Sequence, residues 1–311
     1  MKSILITGGT GSFGQAMVKD ILKDLSYERI AIYSRDEFKQ YQMMMELYMI
    51  AEGRLRFFVG DVRDLRNLRR AMWGIDTVIH AAALKQIPSC EYNPWEAVKT
   101  NINGTWNVIN AAIENGVSKV LVLSTDKAVN PINCYGATKL VAEKLFINSN
   151  TLGRKVTRFS CMRYGNVLAS RGSVIQVFKE QAKQGSIKVT DRRMTRFWWE
   201  LSEVVDFTQR VLSIMKGGEI FVPKLWSSSI VKLAKYVSPG IKIEEIGIRT
   251  GEKIHECLVA PDEVKRTSNE GWCYVIAPDN PFFEYKRQGS HLVPSDFSYT
   301  SDNPAFCIKE F

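Results

Sequence analysis

A chain of 311 residues, 45% hydrophobic and 24% charged, has the balance of a globular protein and the length for one domain plus a smaller appended one. Its formal charge of +9 suits either a basic solvated surface or a cleft that draws polyanionic ligands, and no basic helix with interleaved aromatics points to nucleic acid. No apolar run approaches the roughly 18 residues of a membrane span, a strand begins at Lys2 with no room for a leader, and the 6 cysteines form no CxxC pair, so the expectation is a cytoplasmic protein with reduced thiols, no metal and no membrane contact.

In chain order, Ile4 to Ile6, Ile30 to Tyr33, Leu55 to Val59, Thr77 to Ile79 and Val120 to Leu123 are short apolar runs. Such runs suit parallel strands buried on both faces. Helical segments are expected between them at Phe13 to Leu25, Asp36 to Ala51, Leu65 to Met72, Trp95 to Asn115 and Tyr135 to Asn150. The alternation predicts an α/β fold with a Rossmann doubly wound parallel sheet over residues 1–163. Beyond Arg163 the loops lengthen. Helices near Ser202 to Met215 and Ser228 to Tyr236 flank a strand at Glu219 to Val222. Residues 164–311 are therefore expected to form mainly a smaller C-terminal substrate-binding domain, with the chain partly returning to the first. The run Met43 to Met45, with Leu47 and Met49, reads as core or interface packing.

The first strand runs into Gly8-Gly9-Thr10-Gly11-Ser12-Phe13-Gly14 and then a helix. Glycine at 8, 11 and 14 permits a tight turn and a close backbone approach to a pyrophosphate. The helix N-terminus offers free N–H groups to that anion. At the end of the second strand, nicotinamide sites selective for a free 2′-hydroxyl place an acid. Here stand Ser34 and Arg35, with Lys39 one helical turn on, which suit a 2′-phosphate and hence NADP. Asp36 is the competing acid. Asp61 and Val62, after the third strand, are expected beside the adenine, and Asp61 would equally serve as a turn residue. The small run Ala81 to Ala83 lets the backbone lie near the cofactor.

Ser124-Thr125-Asp126-Lys127 ends the strand Val120 to Leu123, and Tyr135-Gly136-Ala137-Thr138-Lys139 follows. Tyr and Lys four apart share a helix face. An adjacent ammonium lowers a phenol's pKa and lets it act as a base, so Lys139 is expected to tune Tyr135. The Thr125 hydroxyl can hold a substrate oxygen at the same place.

With these motifs the chain resembles the extended short-chain dehydrogenases, and within them the UDP-N-acetylglucosamine 4,6-dehydratases of polysaccharide biosynthesis. The segments ILITGGTGSFG, YSRDEFKQ, GDVRDL, HAAALKQ, STDKAVNPINCYGATK, RYGNV, SRGSV, RMTRFW, GGEIFVPK and GIRTGEKIHE carry the likeness from Ile4 to about Glu263. In the tail after Pro261, only Asp296 to Tyr299 is similar. The Lys after Asp126 marks the N-acetylglucosamine branch, and Tyr at 135 is similar to its inverting, C5-epimerising members in the pseudaminic acid pathway.

The resemblance implies a catalytic set of Thr125, Asp126, Lys127, Tyr135 and Lys139. Tyr135 would take the C4 hydroxyl proton, Lys127 the C5 proton, and Asp126 would protonate the departing C6 hydroxyl. The product would be UDP-2-acetamido-2,6-dideoxy-β-L-arabino-hex-4-ulose. The resemblance further places Lys85, Leu123, Ser124 and Val167 at the cofactor, beside the glycine turn and Ala81. It places Lys85, Asn166, Arg171, Gly172, Ser173, Val174, Thr190, Arg249 and Glu252 at the UDP-sugar. It also implies a homo-oligomer, dimer or hexamer, assembled through the helices expected at 95–115 and 135–150. A retaining dehydratase, a UDP-sugar 4-epimerase and a non-enzymatic NADP-binding regulator are the alternatives. Arg196 reads as a substrate contact or a structural ion-pair member. His80, His255 and His291 have no triad or metal partner at useful spacing and read as structural.

Overall fold

The computed structural model describes residues 2–152, 156–168, 174–280, 285 and 291–307. Its first half alternates β1 Lys2–Thr7, α1 Ser12–Ile21, β2 Tyr27–Ser34, α2 Glu37–Ala51, β3 Leu55–Val59, α3 Leu65–Ala71 and β4 Thr77–His80. There follow α4 Ile87–Tyr92, α5 Pro94–Ala97, a π-helical stretch Val98–Asn103, α6 Gly104–Glu114, β5 Lys119–Leu123, a 3-10 turn Asp126–Ala128 and α7 Cys134–Asn148. Next come β6 Arg158–Met162, β7 Asn166–Val167, α8 Val174–Ala182, β8 Ser186–Val189, β9 Thr195–Trp199, α9 Leu201–Ile214, β10 Ile220–Pro223, β11 Trp226–Ser229 and α10 Ile230–Val237. The chain closes with β12 Lys242–Glu245, β13 Cys257–Val259, β14 Thr267–Asn269, β15 Cys273–Ile276 and β16 Tyr299–Thr300.

The main sheet has nine strands in the order β14-β15-β10-β6-β5-β4-β1-β2-β3. From β3 to β10 every pairing is parallel, and β15 runs antiparallel to β10. The order 3-2-1-4-5-6 within it is that of a dinucleotide-binding sheet, whose crevice lies outside the carboxyl ends of the strands. Burial explains why β1 and β5 read as continuous apolar runs: Ile4, Leu5, Ile6, Val120, Leu121 and Val122 are all wholly buried. Three strands from the second half, β10, β14 and β15, rejoin this sheet. Phe178, Ile187, Val189, Trp198, Leu233 and Ala234 form a separate, smaller core beneath α8, β8, β9 and α10.

A buried ionic knot fixes the helix that follows β5. Arg163, just past β6, is 1% exposed and pairs with Glu143 of α7 at 2.7 Å and with Glu263 at 2.7 Å. Ser124 donates to the same Glu143 at 2.5 Å. A guanidinium removed from water needs this full set of partners, since an unpaired buried charge is severely unfavourable. The knot holds α7 against the end of β5, where the chemistry-bearing residues lie.

Candidate active site

The site begins at the glycine turn. Gly8 sits at φ +68, and a Cβ there would fall 2.9 Å from the backbone N of Ala82. Two loops therefore meet closely at Gly8 and the alanine run, as only glycine allows. At Gly14 a Cβ would meet the carbonyl of Gly9 at 2.4 Å, so this glycine lets α1 pack on the turn that precedes it. Gly11 caps α1, and the first helical turn holds no acidic side chain. The positive end of the α1 dipole is left facing the crevice.

At the end of β2, Ser34 is buried and its hydroxyl accepts from Gln40 at 2.9 Å. Asp36 accepts from the Lys39 backbone N–H at 3.0 Å as the cap of α2, and its carboxylate also pairs with the Lys39 ammonium. The competing acid is thereby engaged. Arg35 stays largely exposed, 3.7 Å from Asp61, while Asp61 pairs more closely with Arg63 at 2.7 Å.

One cleft of about 1000 Å³ gathers the rest. Gly8, Thr10, Gly11, Ser12, Phe13, Gly14, Ser34, Arg35, Lys39, Asp61, Val62 and Ala81 line one part of it. Lys85, Leu123, Ser124, Thr125, Lys127, Tyr135, Lys139, Asn166, Val167, Val174, Thr190, Arg249 and Glu252 also line it. Arg171, Gly172 and Ser173 lie outside the described residues. Asp126 alone of the described candidates does not reach the cleft surface; it is wholly buried behind its neighbours.

Asp126 accepts from the Thr125 hydroxyl at 2.9 Å and from the Lys127 ammonium at 2.9 Å, both on Oδ1. The second carboxylate to touch Lys127 was not singled out from the sequence: Glu256, 2% exposed, lies 3.4 Å from the same ammonium. Burial disfavours the Lys127 cation, but Asp126 and Glu256 outweigh it and hold its pKa above the ordinary lysine value. No local pattern marks Glu256, because it follows a loop and meets Lys127 only in the fold. Asn133 was also missed. It caps α7 through the Gly136 N–H at 2.7 Å and donates to the Gly251 carbonyl at 2.8 Å, tying the Arg249–Glu252 loop to the helix of Tyr135.

Lys139 is wholly enclosed and donates to the Leu123 carbonyl at 2.6 Å, and burial lowers its pKa to about 8. Tyr135 is pushed up to about 12 by burial, and the groups that oppose this are the Lys127 ammonium and a hydrogen bond with Thr125. The Lys127 ammonium also favours the phenolate of Tyr135, while the Lys139 ammonium is hydrogen-bonded to the strand end.

Arg196 donates to the carbonyls of Ile254 and Lys253, each at 2.9 Å, and clamps the loop before Glu256 while also bordering the cleft. His80 lies between Thr7 and Thr105; His255 bonds Thr195 at 2.8 Å. No group of three potential metal ligands occurs among the described residues, and none of their helices is long and apolar enough to cross a membrane.

A Rossmann crevice bearing a glycine turn, a strand-end Thr125 and the Tyr135/Lys139 helix defines a short-chain dehydrogenase. Residues 4–278 match the polysaccharide biosynthesis protein family, and the chain belongs to it. It is 47% identical to an inverting UDP-N-acetylglucosamine 4,6-dehydratase of Campylobacter jejuni, over 97% of this chain and 93% of that one. A UDP-glucose 4-epimerase of Rickettsia akari is 43% identical over 97% of this chain and 91% of its own. The X-ray structure of Pen from Bacillus thuringiensis superposes with a TM-score of 0.91 at 37% identity, covering 99% of this chain and 94% of that one.

Proposed function

We propose that this enzyme is an NADP-dependent 4,6-dehydratase of UDP-N-acetylglucosamine that inverts C5. The observation that supports it is the buried charge cluster of Asp126, Lys127 and Glu256 set beside Thr125 and Tyr135. A 4-epimerase exchanges hydride at C4 and has no need of ionisable groups for C5 and C6. The 47% relative carries the dehydratase name; the epimerase name on the 43% relative makes epimerisation the second reading.

The residues present suit NADP. Gly8 and Gly14 let the turn and α1 pack closely at the crevice, α1 presents an N-terminus without a side-chain cap, and Arg35 with Lys39 supplies cations near the end of β2. When bound, the cofactor supplies a hydride acceptor for C4 and a hydride donor for C6. Tyr135, as the phenolate that the Lys127 ammonium and the Thr125 hydrogen bond favour, takes the proton of the C4 hydroxyl while Thr125 holds that oxygen. The C4 ketone acidifies C5, because the resulting carbanion is an enolate. Lys127 then removes the C5 proton and passes it to the departing C6 hydroxyl. Asp126, wholly buried, acts through Thr125 and Lys127 rather than as the acid at C6. Lys85, Asn166, Thr190, Arg249 and Glu252 hold the nucleotide sugar. The Asn166 Oδ1 is buried without a hydrogen-bond partner in the protein, as a waiting acceptor would be. The product serves pseudaminic acid and surface-glycan assembly in the cytoplasm.

Incubation with UDP-N-acetylglucosamine in heavy water, followed by proton NMR and mass spectrometry, tests this reading. A product lighter by one water, with a C6 methyl group and deuterium at an inverted C5, is expected. An isomer of unchanged mass would establish the epimerase instead. Nucleotide released by denaturation should be NADP by mass, and recovery of NAD alone would overturn the cofactor assignment.

A further inference from the structure

Resting on the dehydratase reading, we propose that Glu256 is the positioning residue of the C5 proton transfer, taking up the Lys127 proton so that Lys127 enters the reaction as a neutral amine. The need arises from the site itself. A lysine held between two carboxylates is an ammonium, and an ammonium has no lone pair with which to take a proton. Some neighbour must therefore accept a proton first.

Glu256 is the better placed of the two carboxylates. Asp126 Oδ1 already accepts from the Thr125 hydroxyl and the Lys127 ammonium, which favours its anion. Asp126 Oδ2 and Glu256 Oε2 are both buried without a hydrogen-bond partner, so the difference lies in the other oxygen: Asp126 Oδ1 carries two hydrogen bonds at 2.9 Å, whereas Glu256 Oε1 has Lys127 as its nearest charged neighbour at 3.4 Å. Two further cations face it, Arg196 from β9 and Lys253 from its own loop, both at 3.9 Å. Both are engaged by backbone carbonyls: Arg196 by Thr195, Ile254 and Lys253, and Lys253 by Val129. Burial of the carboxyl raises its pKa against the pull of these cations, so the neutral acid is accessible. A separation of 3.4 Å is long for proton transfer, but catalytic contacts commonly tighten once substrate is bound.

The backbone that carries this side chain is also held still. The Glu256 N–H donates to Ser301 Oγ at 2.9 Å, and the Ser301 N–H donates back to the Glu256 carbonyl at 2.8 Å. Residue 256 thus enters β13 locked to the end of β16. The elimination balances in protons, and the proton that later enters C5 from the opposite face is drawn from solvent. The Lys127 ammonium and the Glu256 carboxylate become an amine and a carboxylic acid. The amine gains the C5 proton and gives it to the leaving C6 hydroxyl, which departs as water. Glu256 then returns its proton to Lys127 and the starting pair is restored.

The order of two variants tests the assignment. Glu256→Gln keeps the shape and loses the proton acceptor, whereas Glu256→Asp keeps the acceptor and shortens it by one methylene. With UDP-N-acetylglucosamine, Glu256→Gln should lower kcat and C5 deuterium wash-in by about 100-fold or more. KM and NADP binding should stay within about threefold, and Glu256→Asp should recover at least tenfold over Gln. A purely structural Glu256 predicts the reverse order, with Gln near the wild type and Asp worse, and that order overturns the proposal. Loss of NADP binding in step with kcat in both variants likewise overturns it. A wild-type enzyme that releases no water sinks the dehydratase reading and this role together, whereas a normal wild type with an unimpaired Gln variant sinks this role alone.

Discussion

His80 shows what one buried titratable group does to stability. Its Nδ1 lies 2.7 Å from Thr7 Oγ1, its Nε2 lies 3.3 Å from Thr105 Oγ1, and its ring stacks on Phe146. Burial, with repulsion from Lys139, lowers its pKa from 6.5 to about 3. The folded value is below the unfolded one, so the unfolded chain binds a proton that the folded chain refuses. The stabilisation is complete above pH 6.5 and is lost as pH falls toward 3, a difference of at most ~5 kcal/mol at about 1.4 kcal/mol per pH unit. Thermal melts should show a falling Tm between neutral pH and pH about 4, and His80→Asn should lower Tm at neutral pH while flattening that slope. An unchanged slope in the variant would refute this account. Lys127→Ala belongs to the same scale: Tm should fall, since Asp126 and Glu256 lose their shared cation, while NADP binding persists and dehydration drops by about 10²- to 10⁴-fold. Deuterium wash-in at C5, read by NMR, should vanish with it; near wild-type turnover would remove Lys127 from the chemistry. These residues were legible in the sequence because the strand-end quartet and the Tyr-Lys spacing are local. Glu256 was not, since only the fold brings it to Lys127. The part Lys127 plays beside Tyr135 was not legible for a related reason: spacing along a helix gives a shared face but not the direction in which a long lysine points.

At the scale of elements, the start of α7 rests directly on the turn that carries Asp126 and Lys127. A Cβ at Gly136 would fall 2.1 Å from the Lys127 carbonyl oxygen. Gly136→Ala should therefore push α7 and the turn apart, costing about 1–3 kcal/mol of stability as overpacking does. It should also reduce kcat more than KM, because Tyr135 and Lys127 move relative to each other. Denaturant melts and steady-state kinetics check both, and unchanged kcat would show that the turn yields freely. The elements easiest to read were those buried on both faces, such as β1 and β5. By contrast β6 was overlooked, since its run Arg158–Met162 includes Ser160, whose hydroxyl is satisfied by Glu219 at 2.6 Å out of sight of any pattern. The single helix expected over 95–115 is instead α5, a π-helical stretch and α6. Within that stretch the Asn101 side chain bonds the Leu84 backbone N–H at 2.8 Å, the Leu84 carbonyl at 2.9 Å and Thr138 of α7 at 3.0 Å. A side chain bridging the cleft loop and the catalytic helix is a reason for a local π insertion that hydrophobic periodicity does not register.

For the whole molecule, the return of β10, β14 and β15 to the main sheet means that the second half builds part of the first half's scaffold. A partial return of the chain and a strand at Glu219 to Val222 are expected from the sequence, but the short, mixed runs of β14 and β15 gave no sign of their pairing, because partners far apart in sequence leave no local pattern. The run Met43 to Met45, read from the sequence as core or interface packing, lies in a helix with unusual apolar surface. On α2, Met43 and Leu47 face the core, while Phe38, Tyr41, Met45, Tyr48 and Met49 are each more than half exposed. Their spacing of three and four places them along one helical stripe. A second set, Trp95, Trp106 and Val141, stands out from α5, α6 and α7. Contiguous exposed apolar patches of this sort are uncommon on monomers and mark association surfaces. The particle in solution is therefore expected to be a homo-oligomer of at least twice the 35.3 kDa chain mass. The α5–α7 face should make the dimer, and the α2 stripe should join dimers into the larger assembly. Light scattering on Met45→Glu/Tyr48→Glu should then give a dimer, and on Trp106→Glu/Val141→Glu a smaller particle than the wild type with an intact fold by circular dichroism. A wild-type protein that scatters as a 35.3 kDa particle at micromolar concentration would refute both assignments at once, whereas an α2 variant that keeps the wild-type mass would leave the dimer face standing and remove the stripe from the assembly.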